Sequence, residues 1–217
     1  MAKVIASTKI FLTNSLITWF IPIAIIVIWQ IAVQSGWLST RIMPAPLDVI
    51  NAAITLGASG ELLHHFSASL ERAVLGLLIG GSIGFALGFI TGLSKLAQDL
   101  LDSTIQMIRN IPLLALVPLV VLWFGIGEVS KIFLLSMAVF FPIYLNTFHG
   151  LRSVDKDLIE MGKVYGLNSY ELFKNIILPG AMPSILVGLR MSLGFMWLYL
   201  IVAETIASSE GIGYMTM

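Results

Sequence analysis

The 217 residues carry 12 lysines and arginines against 12 acids, 58% of them are hydrophobic and only 11% are charged. That balance, with a mean hydropathy of +0.96, excludes a soluble globular domain and supplies no basic surface for nucleic acid. The absence of cysteine excludes disulfides and thiolate metal sites, and His64, His65 and His149, the only three histidines, give no basis for a metal centre.

The N-terminal MAKVIASTKIF has lysines ahead of an apolar run but no small-residue cleavage site after it, so a retained first span is expected over about residues 17–33. Trp19, Trp29 and Trp37 are placed for the interfacial belts. Residues 36–67 then leave the membrane, and MPAPLDV (Met43 to Val49) pairs a proline-fixed extended entry with a helix start at Asp48. A second span, about 73–93, holds Gly76, Gly80, Gly84, Gly88 and Gly92. Glycines four apart share one helix face and let a neighbouring backbone come close. The stripe reads either as a seam along which helices shift or as a static packing face, and both readings put this helix inside a bundle.

Residues 94–110 are polar and amphipathic, with Lys95, Asp99, Asp102 and Arg109, and read as a cytoplasmic turn. In the third span, 111–124, Pro112 and Pro118 free backbone carbonyls that need partners in protein or a water-lined cavity, so it either borders a pathway or is simply kinked. The fourth span, 132–148, contains Pro142 and Asn146; the fifth, 185–207, carries Arg190 near its start and Glu204 near its end. Charges at depth are costly, but both of these lie close enough to an interface for snorkelling to compete with a transport role.

Between the fourth and fifth spans lies EMGKVYGLNSYELFKNIILP, Glu160 to Pro179, a polar and helix-prone stretch. Asp155 can N-cap a first short helix that Gly166 ends in the left-handed conformation. Asn168 followed by Glu171 resembles a capping box for a second helix, which Pro179 should stop at Leu178 or before. The expected product is a rigid helical elbow. Lys3, Lys9, Lys95, Arg109, Arg152, Lys156, Lys163 and Lys174 fall on its side of the membrane against Arg41, Arg72 and Lys131 on the other, which places elbow and N-terminus in the cytoplasm.

The spacing Glu160, Gly166, Ile176, Leu178, Pro179 resembles the E-A-A-x3-G-x9-I-x-L-P loop of ABC importer permeases. Met161 and Gly162 stand where that family usually has alanines, and Gly162 weakens its helix by about 1 kcal/mol relative to Ala. MPAPLDV is similar to the family's LPSPLDV, Arg109 to Lys131 to its R-x-I-P-x-x-A-x-x-P-L-x-x-x-W-F-G-x-G-E-x-S-K run, and the segment at Ser208 to its S-S-x-G-L-G-Y. With these motifs in order over residues 43–217, the chain is identified as a member of the type I ABC importer permeases, nearest the sulfonate, taurine and nitrate group.

The resemblance implies an all-α membrane protein, a polytopic bundle of about five transmembrane helices with a cytoplasmic coupling elbow. Residues 1–64 would form an N-terminal transmembrane helix and external segment, and 65–217 a C-terminally short permease domain in which the family's final span is missing. It implies a non-catalytic subunit of an ATP-driven importer in a bacterial inner membrane, for a small anionic solute: aliphatic sulfonate or taurine first, nitrate or bicarbonate next. Expected partners are an ABC ATPase, a second permease copy, an extracytoplasmic solute-binding protein and membrane lipid, with no nucleic acid. No G-x-x-x-x-G-K-[ST] loop is present, so ATP is expected on the partner and no cofactor or metal on this chain. Coupling to the ATPase falls to Glu160, Gly166, Asn168, Ser169, Tyr170, Glu171 and Pro179, and candidate pathway residues are Ser136, Asn146, Arg190 and Ser192. A secondary transporter or channel is the alternative; it calls for repeat symmetry and coupling charges at mid-membrane, and leaves the elbow unexplained.

Overall fold

The computed structural model describes residues 2–40 and 43–216, with side-chain surroundings from Thr18 onward apart from Ala207. Arg41 and Met217, and the side chains of Lys3 and Lys9, lie outside the described residues. All regular elements among the described residues are helical, and the chain divides into two compact units, residues 1–63 and 64–217.

In the first unit, α1 (Ala2–Gln34) is followed by α2 (Pro46–Ser59). Pro46 rather than Asp48 opens α2: the preceding Ala45 is extended, as the proline ring demands, and Asp48 sits in the first turn, where a carboxylate complements the helix dipole. Gly60, at φ 83, closes α2 in a left-handed cap. Leu47 donates its N–H to Gln30 Oε1 at 3.2 Å.

The second unit is built around α6 (Glu128–Arg152). It packs against α3 (Glu61–Leu93) and α9 (Leu178–Ala207). A Cβ on Gly84 would lie 2.6 Å from the Phe140 carbonyl, one on Gly88 2.6 Å from that of Tyr144, and one on Gly92 2.9 Å from Leu151 Cδ1. Residue numbers climb together on both helices, so α3 and α6 run parallel with their backbones pressed together along the glycine stripe. On the other side Gly150 meets Ser184 while Gly188 meets Asn146, so α9 runs antiparallel to α6. Ala73, Leu135, Val139, Ile143, Met196 and Leu200 form the shared apolar core.

Among the described residues, three continuous helical stretches are long and apolar enough to cross a membrane: α3, α6 and Ser169–Ile206. The third expected span does not cross as one rod. The presumed turn before it is itself a helix, α4 (Lys95–Arg109), and α5 (Leu113–Phe124) departs from it at 94°. Asn110 ends α4 and Pro112 caps α5; the proline removes an N–H and keeps Ile111 out of the helical region, so the chain must turn there. At 12 residues α5 is about 18 Å long, well short of a hydrocarbon core of about 30 Å. Between α6 and α9 stand α7 (Lys156–Val164), α8 (Ser169–Leu172) and a π-helical turn, Phe173–Ile177.

Candidate functional site

The elbow is assembled almost wholly from local hydrogen bonds. Asp155 Oδ1 accepts from the Asp157 N–H at 2.9 Å and opens α7. At its far end Gly166 adopts φ 80; its N–H reaches the Lys163 carbonyl at 2.9 Å and that of Leu167 reaches the Gly162 carbonyl at 3.1 Å, the paired bonds of a Schellman cap. The capping box closes in both directions: Glu171 N–H donates to Asn168 Oδ1 at 3.0 Å, and Asn168 N–H to Glu171 Oε2 at 2.9 Å.

Pro179 does not end the second helix as expected. The π turn widens the helix just before it, where Leu178 N–H bonds the Phe173 carbonyl, and Pro179 then occupies the first turn of α9, where its missing N–H costs least. The elbow is thus continuous with α9.

Its inner face is anchored. Gly162 is buried beneath Ile176, Leu172 and Leu167, and a Cβ there would come within 2.7 Å of Ile176 Cδ1. Phe173 and Ile176 pack onto the cluster of Leu151, Val154 and Ala181 at the end of the bundle. The outer face is open: Val164 is 87% exposed, Tyr165 80% and Tyr170 69%. Glu160, Asn168 and Ser169 are exposed beside them, and Glu160 makes no ion pair among the described residues. Val164 and Tyr165 were missed by the sequence reading; two large apolar residues just ahead of the hinge glycine, in an otherwise polar stretch, were the available signal.

The pathway candidates do not come together. Asn146 alone of the four lines a cleft of about 320 Å³ between the α4–α5 bend, α6 and α9, with Arg109, Pro112, Phe141, Met191 and Tyr199. Ser136 borders a separate apolar groove of about 490 Å³ between α3 and α6, and its hydroxyl is satisfied by its own helix at the Ile132 carbonyl, 2.7 Å away. Ser192 is fully buried and donates to the Leu189 carbonyl at 2.8 Å, which makes it a packing residue. Arg190 is exposed on α9, off the cleft lining.

Three charges are buried more deeply than the sequence suggests. Glu204 does not snorkel: it is completely buried and pairs with Arg72 at 2.8 Å, and Arg72, counted among the charges on the outer side, is 3% exposed inside α3. Lys131, likewise read as external, is buried and bonded to Glu128 at 2.8 Å. Helix α3 begins well before Ala73, so the polar stretch ahead of the glycines is part of the bundle.

Residues 74–217 match the family described as the inner membrane component of binding-protein-dependent transport systems. A putative aliphatic sulfonates transport permease protein of Escherichia coli (strain K12) is 56% identical over 199 residues, which is 92% of this chain and 76% of the relative. The taurine transport system permease protein of the same strain is 36% identical over 88% of this chain and 71% of its own length. The nitrate import permease protein of Synechocystis sp. (strain ATCC 27184 / PCC 6803 / Kazusa) is 33% identical, again over 88% and 71%. With an all-helical membrane fold and a match over most of its length, the chain belongs to the inner membrane components of binding-protein-dependent transport systems, the multi-pass, non-catalytic permease subunits of ABC importers, which work with a separate ATPase and a binding protein.

Proposed function

We propose that this subunit forms the path for an organic sulfonate, an aliphatic sulfonate or taurine, and that its elbow is where a cytoplasmic ATPase docks. The observation that carries the docking is the outward apolar tip: Val164, Tyr165 and Tyr170 are exposed on a segment rigidified by a Schellman cap and a capping box. Exposed aromatic and aliphatic anchors on a pre-ordered element are what a tight interface uses, because little side-chain or backbone freedom is lost on binding. Gly166 sets the angle between the two short helices, Asn168 and Glu171 hold the second, Ser169 and Glu160 supply a polar rim, and Pro179 leads the elbow into α9.

In this reading the N-terminus is cytoplasmic, ATP is held by the partner and no cofactor by this chain. A second copy of the permease provides the other wall of the path. Exposed apolar side chains of α5 and α9, such as Leu122, Trp123, Leu186 and Leu198, face that copy or lipid. Sulfonate is favoured over nitrate by the higher identity to the sulfonate relative, 56% against 33%. The cleft at Arg109 and Asn146 offers a cation and an amide to an anion in transit. Uptake into proteoliposomes holding permease, ATPase and binding protein tests the solute: labelled ethanesulfonate or taurine should accumulate only with ATP inside the ATPase compartment. Accumulation of nitrate in preference to either sulfonate would contradict the assignment.

A further inference from the structure

The end of the bundle opposite the elbow is covered by residues 208–216, a short segment after α9 that folds back over the starts of α3 and α6. Polar contacts to an ionic node centred on the buried Arg72 and Glu204 hold it there. The Arg72 guanidinium grips Glu128 with two bonds, Nε to Oε2 at 2.6 Å and Nη2 to Oε1 at 2.8 Å, and reaches Glu204 Oε1 with Nη1 at 2.8 Å. The same Nη1 donates to the Glu210 carbonyl at 2.9 Å, and Nη2 meets Glu210 Oε1 at 3.3 Å. Lys131 Nζ joins Glu128 to Ser208 Oγ at 3.0 Å.

Glu204, at 0% exposure, accepts from Ser69 Oγ at 2.7 Å and from the Gly213 N–H at 2.8 Å, while Ser69 Oγ accepts from the Ile212 N–H at 2.8 Å. Gly211 N–H donates to His65 Nδ1 at 3.1 Å, and His64 Nε2 lies 3.1 Å from Glu210. Gly211 has φ 120, and a Cβ on it would run into the Glu204 carboxylate, so the segment's backbone lies directly on the buried acid.

We propose that residues 208–216 are a strap across the mouth of the path, locked shut by Arg72 and Glu204 and released when α9 moves; this rests on the permease reading above. Helix α9 joins the parts. It is continuous with the elbow through the π turn as a 38-residue helical stretch, Ser169–Ile206, carries Met191, Phe195 and Tyr199 of the cleft, and ends in the lock at Glu204. Tyr199 and Glu204 are about 7.5 Å apart along the axis at 1.5 Å per residue. A displacement of the elbow therefore acts on cleft and lock through one element. The lock is two-state by construction: a charge buried at this depth is stable only when paired, so a half-open node, with Arg72 or Glu204 left alone, is disfavoured against both the closed and the fully hydrated arrangements.

The lack of cysteine in the chain makes the test direct. In proteoliposomes holding the whole transporter, a Ser69→Cys/Ile212→Cys pair ties strap to α3. The expected result is ATP-driven sulfonate uptake in the reduced form, a fall of about tenfold on oxidation and recovery with reductant. Uptake that continues at the reduced rate with the disulfide formed overturns the proposal. A second arm decides where the pair does not cross-link or the reduced form is inactive. A lone Phe195→Cys in the cleft is labelled from the strap side by a membrane-impermeant maleimide, with Glu204 intact or changed to Gln. Glu204→Gln should speed labelling by about fivefold or more with the ATPase still bound; unchanged labelling in that complex overturns the strap. Failure of the unsubstituted chain to hold the ATPase at all is a different result, against the permease reading itself.

Discussion

Gly80 has no room for a side chain. A Cβ there collides with the Ser136 carbonyl, and α6 backbone cannot move aside as a side-chain tip can. Gly80→Ala should cost roughly 1–3 kcal/mol, the usual range for overpacking. Gly194→Ala on α9, where a Cβ meets nothing within 4 Å, should instead hold stability or raise it by up to about 1 kcal/mol through helix propensity. Thermal unfolding of the detergent-solubilised chain separates the two, and equal shifts would contradict the seam. Gly162 is intermediate: the atoms above it are mobile side-chain ends, so propensity gained and packing lost largely offset. In the elbow, Asn168→Ala removes one half of the capping box and should cost about 1 kcal/mol locally, read as faster amide exchange at Glu171 and Leu172. Comparable protection in that variant would mean the box does not hold α8.

At the scale of elements, how legible each one was depended on how local its cause is. The caps of α7 and α8 were readable because Asp155, Gly166, Asn168 and Glu171 act within four residues of their partners, and the glycine stripe because it repeats on one helix face. The α4–α5 bend was half legible: Pro112 was seen, but it forces a right-angle break only because a second helix stands on its other side. The ionic node was not legible. Arg72 is 56 residues from Glu128 and 132 from Glu204, no periodicity links them, and of the three only Glu204 reads from sequence as a charge near an interface. Pro179 was misjudged because its effect was absorbed by a π turn that propensity does not signal. The exposed apolar tip of the elbow, proposed as the docking surface, carries an element-scale prediction. Tyr165→Asp, at 80% exposure, should leave the unfolding midpoint within about 2 °C while sharply weakening ATPase retention. A stability loss with retention intact would reverse the assignment.

Across the whole molecule, the elbow, the cleft and the buried node sit at successive levels of a single helical stretch of 38 residues, about 57 Å at 1.5 Å per residue. That is longer than the hydrocarbon core, so one element can link a docking event in water on one side to a closure on the other. Core packing makes the link stiff: Met196 and Leu200 are held by Leu135, Val139 and Ile143 of α6, and Ala203 by Leu134 and Ala138. The central claim is that the rigid elbow is the handle by which an ATPase moves this stretch, and co-purification of the ATPase with the membrane-inserted chain tests it most directly. Gly166→Pro removes both the φ of 80 and the N–H that bonds Lys163, and Tyr170→Asp puts a charge on an exposed anchor. The account predicts that the unsubstituted chain retains the ATPase and that both variants lose it while remaining in the membrane. Equal retention by all three chains would contradict it.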